Sequence, residues 1–181
     1  WIGFLDEVKY FNFAKTAANV QTEYASRSTS KGVSASFSPD TAKSLSSGLT
    51  GYWKMDDNTG TSSTDSSGNG NTGTLTSGPT WTTGKFGSDT RYDGTDDYTT
   101  VPDSASLDLS SDFTVSLWFN PDEPASASAD YVRGLIDKGS YRVFLDKSDG
   151  KLKAETNNGT TTWAISYDNV AADAQDYEFV Y

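Results

Sequence analysis

A many-stranded antiparallel β fold is what this sequence predicts, and three observations predict it. Short runs rich in aromatic and β-branched residues recur along the chain. Turns rich in Gly, Asn and Asp separate them, as in Asp65-Ser66-Ser67-Gly68-Asn69-Gly70-Asn71 and Asp93-Gly94-Thr95-Asp96-Asp97. The spacing of runs and turns is short and nearly regular over residues 131–167. Glycine supplies the positive φ that tight turns need, and Asn and Asp side chains bond the local backbone. Aromatic and β-branched residues fit the pleated surfaces between such turns.

Composition narrows the function. The 181 residues carry a formal net charge of −11, which disfavours nucleic acid and anionic membrane surfaces as partners. Aromatic residues make up 13%, so a core can form without staples; Cys and His are absent. That excludes a disulfide scaffold, a thiolate metal site and a Ser-His-Asp constellation. No long apolar run spans a membrane.

In order, residues 1–13 read as an aromatic strand carrying Leu5, Val8, Tyr10 and Phe13. Residues 14–25 read as a short helical turn. Residues 27–47, dominated by Ser, Thr, Lys and Gly, read as a linker; the alternative is an edge strand in which Val33, Ala35 and Phe37 alternate. Strands are then expected at 51–57, 80–83, 85–86, 107–109 and 113–120. In the last, Val115, Leu117 and Phe119 face one way and Trp118 the other. Residues 131–137, 141–146, 151–156 and 162–167 follow, with Asp149-Gly150 and Asn158-Gly159 as hairpin turns. Residues 176–181 form one more strand.

Five signatures occur in one order. They are Gly48-Leu49-Thr50-Gly51-Tyr52-Trp53, the 65–75 loop ending Gly73-Thr74-Leu75, Phe86-Gly87, Asp93-Gly94-Thr95-Asp96-Asp97-Tyr98, and Phe113-Thr114-Val115-Ser116-Leu117-Trp118-Phe119. Together they resemble the LamG-like jelly-roll family of the concanavalin A-like lectin/glucanase superfamily. The resemblance implies an all-β, two-sheet antiparallel jelly-roll sandwich. Gly3, Leu5, Asp6, Glu7, Val8, Tyr10 and Ala14 are similar to that family's closing strand. The closing strand thus stands at the wrong end of the chain. Residues 1–26 are therefore expected to close a preceding tandem repeat or a neighbouring subunit, and 48–181 to form a jelly roll lacking its last strands.

Three chemistries are open. Asp56, Asp57, Asp65, Asn69 and Asn71 place oxygen donors of the kind calcium takes around two turns. The resemblance implies a structural Ca²⁺ held by Asp56 and Asp6, with Asp6 coming from another repeat or subunit. The alternative is that Asp65 and the Asn residues only build an Asx-type turn. For sugars, Trp163 and Tyr131 are the candidate platforms, whereas Trp53 and Trp118 read as core. For hydrolysis, the related glucanases carry Glu-x-Asp-x-x-Glu on one strand, a spacing missing here; Asp6 and Glu7 are expected on opposite faces. The expectation is a non-catalytic structural or adhesive unit of an extracellular or cell-surface assembly. Its partners would be copies of itself, and strand exchange could complete it. A Ca²⁺-dependent carbohydrate-binding module is the rival reading.

Overall fold

A computed structural model describes residues 1–28, 47–109, 112–122, 133–146, 151–157, 162–167 and 177–180. The strands in chain order are β1 (Ile2–Phe11), β2 (Leu49–Trp53), β3 (Ser62–Ser63), β4 (Gly73–Thr76), β5 (Thr80–Thr83), β6 (Ser88–Asp93) and β7 (Tyr98–Thr100). They continue with β8 (Thr114–Pro121), β9 (Arg133–Asp137), β10 (Tyr141–Leu145), β11 (Leu152–Asn157), β12 (Thr162–Tyr167) and β13 (Tyr177–Val180). Among the described residues one helix, α1 (Ala17–Ser28), lies between β1 and β2. Every pairing is antiparallel.

The main sheet runs β13-β8-β1-β6-β5, with β2 also paired to β1. A second sheet runs β12-β11-β10-β9, and β3-β4-β7 form a small third one. The main and second sheets share one core. Leu5, Val8 and Tyr10 of β1 and Val115, Leu117 and Phe119 of β8 pack with Tyr141, Val143 and Leu145 of β10. This two-sheet antiparallel sandwich is the architecture the sequence predicts.

β1 is the centre of the main sheet. β8 flanks it along its whole length. On its other side β6 pairs with Ile2 to Leu5 and β2 pairs with Val8 to Phe11. The strand expected to close another repeat or subunit therefore pairs with strands of its own chain. Val8 stands opposite Trp53, so the two signatures from opposite ends of the fold are neighbours.

The outer face of the main sheet is covered too. Trp118 is buried there, stacked under Tyr24 of α1 at 5.7 Å and edge-on to Phe86 at 5.4 Å. The helix starts where Thr16 caps it: Asn19 N donates to Thr16 Oγ1 at 3.3 Å and Val20 N to Thr16 O at 3.1 Å. Glu23 fastens α1 by accepting from Lys9 Nζ at 2.6 Å and from Lys15 Nζ.

Some expected elements differ. Residues 85–86 form a turn, closed by Gly84 N to Gly87 O at 3.1 Å, with Gly87 at φ +82°. Leu107 ends a short 3₁₀ turn over Ala105–Leu107, capped by Ser104, because its apolar residues dock singly on the core. Phe13 lies beyond β1, since the chain turns where Asn12 N donates to Gly48 O at 2.9 Å. The linker expected at 27–47, with Val33 and Phe37, lies largely outside the described residues. Among the described residues no helix is long and apolar enough to cross a membrane, which says nothing of strands.

Candidate functional site

The site begins with an irregularity in β1. Its register with β8 shifts between Asp6 and Lys9: Asp6 faces Trp118 and Lys9 faces Ser116, so Glu7 and Val8 together oppose Leu117. Glu7 adopts φ +53°, and the result is a β-bulge. The inward alternation resumes at Val8. Asp6 bonds the 84–88 turn on the outer side, and Glu7 accepts from Tyr52 Oη at 2.5 Å and sits 3.5 Å from Lys9 Nζ. The two acids expected on opposite faces thus lie on the same, outer face. A period-2 reading fails here because the bulge adds one residue.

The bulge falls where β6 has ended and β2 has not yet begun along the same side of β1. Two chain segments fill that gap. Asp56 follows β2, and the 84–88 turn precedes β6. Phe86 N donates to Asp6 Oδ2 at 3.1 Å, and Ser88 N donates to Asp56 Oδ1 at 2.9 Å. Gly87 must be glycine twice over. Its φ is positive, and a Cβ would collide with the Asp56 carboxylate. Asp89, buried at the start of β6, adds a third carboxylate within electrostatic reach. Of the four non-glycine residues with positive φ among the described residues, Glu7, Met55 and Asn58 border this gap. Backbone strain of this kind gathers at functional positions.

Electrostatics single out Asp6. It is 3% exposed, and its Oδ1 is buried with no hydrogen-bond partner. Burial pushes its carboxyl up to about 8 against the opposing bond from Phe86, and the charges of Glu7, Asp89 and Asp56 raise it further. An orphaned buried oxygen among acidic neighbours is the donor chemistry that suits a hard cation such as Ca²⁺. Asp6 and Asp56 would hold it, with Asp89 as the adjacent charge. Bound there, the ion would neutralise carboxylates from three separate segments of the chain. The expectation that Asp6 can meet Asp56 only from another copy is corrected, since both belong to one chain here.

The other expected ligands sit elsewhere. Asp65 Oδ1 accepts from Tyr52 N at 3.0 Å and Ser67 N at 2.8 Å, while Oδ2 accepts from Asn71 N at 2.8 Å and Ser67 Oγ at 2.9 Å. Burial would raise this carboxyl, but those hydrogen bonds outweigh it and hold it below the usual range. Asn71 Nδ2 and Asn69 Nδ2 donate to Thr50 O at 2.9 and 3.1 Å. This is a self-satisfied turn that ties the 65–71 loop to β2. Asp57 likewise accepts from Thr64 N at 3.0 Å.

A second acidic group, Asp93, Asp96 and Asp97, brings carboxylate oxygens within 4.8 Å of one another in an exposed turn. Asp97 Oδ2 accepts from Asp93 N at 2.9 Å and Asp93 Oδ1 from Thr95 N at 2.8 Å, as turn-forming acids do. The candidate sugar platforms are not brought together. Trp163 lies in β12 opposite Thr156, with its side chain outside the described residues, and Tyr131 lies outside them altogether. Trp53 and Trp118 are buried, at 4% exposure each. Asp89 was missed by the sequence reading; its position two residues past Phe86-Gly87 is the only signal that could have marked it.

Residues 93–180 match the family model described as the concanavalin A-like lectin/glucanases superfamily. No curated protein and no solved structure matches the chain.

Proposed function

We propose, on the premise that the chain carries a concanavalin A-like lectin/glucanase superfamily domain, that it is a non-catalytic structural or adhesive unit whose N-terminal strand can be exchanged between copies. The observation that carries this reading is the position of β1. It occupies the middle of the main sheet, yet α1 and residues 29–46 separate it in sequence from β2, its next partner along the chain. A strand so far in sequence from the strands it pairs with satisfies the same sheet edges whether it comes from its own chain or from a neighbour. Laminin G-like domains are generally non-catalytic and typically extracellular, although the superfamily includes glucanases. The two buried acids on β1 lie beneath the 84–88 turn and α1, out of reach of a polysaccharide.

The test is exchange itself. Unlabelled and ¹⁵N-labelled chains are mixed over a range of concentrations and examined by light scattering and native mass spectrometry. Mixed dimers and larger species are expected at high concentration. Strict monomers at every concentration would remove the assembly reading.

The Asp6–Asp56 pairing favours a second reading, a Ca²⁺-dependent carbohydrate-binding module. Its test is a glycan array probed with and without chelator. Calcium-dependent retention of a glycan by monodisperse protein would select it over the assembly reading.

A further inference from the structure

The core has a tight half and a hollow half. Around β8 and the end of β10, Leu117, Leu145, Val115 and Phe119 are 0–2% exposed. On β1 and β9, Leu5, Val8, Tyr10 and Leu135 retain 6–9% although they belong to the same cluster. The difference is a cavity of about 460 Å³ between the main and second sheets. Its walls are the aromatic rings of Tyr10, Trp53, Tyr92 and Tyr141 together with Met55 and Leu135. Asp97 and Tyr98 stand on the same lining, and Tyr98 is 51% exposed, so this edge meets solvent.

The polar atoms of the four named aromatic side chains on these walls are already used. Trp53 Nε1 donates to Asn71 O at 2.7 Å. Tyr92 Oη bonds Thr99 Oγ1 at 2.8 Å. The hydroxyls of Tyr10 and Tyr141 bond each other, and Tyr141 Oη reaches Leu107 O at 3.5 Å. The aromatic and aliphatic part of the wall therefore offers few free polar atoms and holds water poorly, since a buried water needs two to four polar partners, while Asp97, Asp137 and Lys138 stand on the lining as its charged residues. The volume falls within the range of small-molecule sites, and sites of that kind are mostly apolar and aromatic.

We propose that this inter-sheet cavity binds one neutral, largely apolar ring compound per chain. The site lies on the opposite side of the main sheet from Asp6 and Asp56, so it is separate from those carboxylates, and it goes beyond the assembly reading. Occupancy joins β1 to β9 across the core and stabilises the sandwich.

The test is a fluorescence titration of the full chain with N-phenyl-1-naphthylamine, a neutral aromatic probe. Saturable binding of one probe per chain, with a blue-shifted emission and a raised melting temperature, is expected. Filling the cavity with Leu135→Trp should weaken binding at least tenfold without lowering the melting temperature. Met55→Phe provides a second filled variant should the first not fold. Tyr24→Ala, on the outer face, should leave binding unchanged. Absent binding, non-saturable partitioning, or equal affinity in a folded filled variant overturns the proposal.

Discussion

Asp6 carries the sharpest prediction at the scale of single residues. In the unfolded chain its carboxyl titrates near 3.8, and in the fold it titrates at about 8. Between these values the unfolded chain gives up a proton that the folded chain keeps. Stability from this group is therefore full below about pH 4, falls as pH rises, and levels off above pH 8. At about 1.4 kcal/mol per unit, the loss amounts to several kcal/mol. Asp6→Asn mimics the protonated form, so in chelator its melting temperature should exceed that of the native chain by a margin that grows from pH 5 to pH 8. Added Ca²⁺ should restore the native chain at pH 8 and leave Asp6→Asn unmoved. A parallel pH dependence for the two proteins would show that Asp6 ionises freely. Asp65 makes the control. Asp65→Ala strands three backbone amides and one hydroxyl, and should cost about 2–3 kcal/mol by urea denaturation, with or without Ca²⁺.

At the scale of elements, α1 acts as a clamp on the outer face of the main sheet. Its Glu23 is 6% exposed and stands between Lys9, on β1, and Lys15, ahead of the helix. Burial raises the Glu23 carboxyl, but the two ammonium groups outweigh it and hold it below its usual range. The contribution of this pairing is therefore present above about pH 4.5 and lost as pH falls through the lowered value. Glu23→Gln leaves two buried lysines short of charge, and should cost about 3 kcal/mol in urea. The release of Tyr24 from Trp118 should appear as a change in tryptophan emission; an unchanged midpoint would mean that α1 rests on the sheet without holding it. Elements of this sort were unevenly legible in the sequence. Strands β8, β10 and β11 could be read because their aromatic and β-branched runs are followed by Pro121, Asp149-Gly150 and Asn158-Gly159, and β9, β12 and β13 because similar runs recur beside them. The bulge at Glu7 could not, because register is a property of two strands and only Trp118 and Ser116 reveal it. The 85–86 turn and the 3₁₀ turn at Leu107 misled for a related reason. Each docks one apolar residue singly, Leu107 on the core and Phe86 against Trp118 on the outer face, and an isolated apolar residue has no period. That Asp6 and Asp56 lie against the same 84–88 turn was visible through family resemblance alone, since 50 residues separate them in sequence and nothing local links them.

For the whole molecule, everything turns on how much of the fold depends on β1. Leu5, Val8, Tyr10 and Phe11 are all buried. At about 1.5–3 kcal/mol for each such side chain, they contribute about as much as the net stability of an ordinary domain, roughly 5–15 kcal/mol. The strand also pairs with β8, β6 and β2, so its loss exposes edges on both sides. A chain lacking residues 1–13 should therefore lose cooperative melting and associate. Because β1 is one contiguous segment, separated from β2 by α1 and residues 29–46, the missing part can be given back as a separate peptide of residues 1–13. Binding only to the sandwich form, the peptide should restore a cooperative transition whose midpoint rises with peptide concentration. A peptide carrying Val8→Asp, which places a charge against Trp53 in the core, should restore nothing. Recovery by the native peptide alone would show that the sheet accepts β1 without covalent connection, which is the physical requirement for exchange between copies. A truncated chain that melts sharply as a monomer would show instead that β8, β6 and β2 close without it, and the exchange reading would lose its basis.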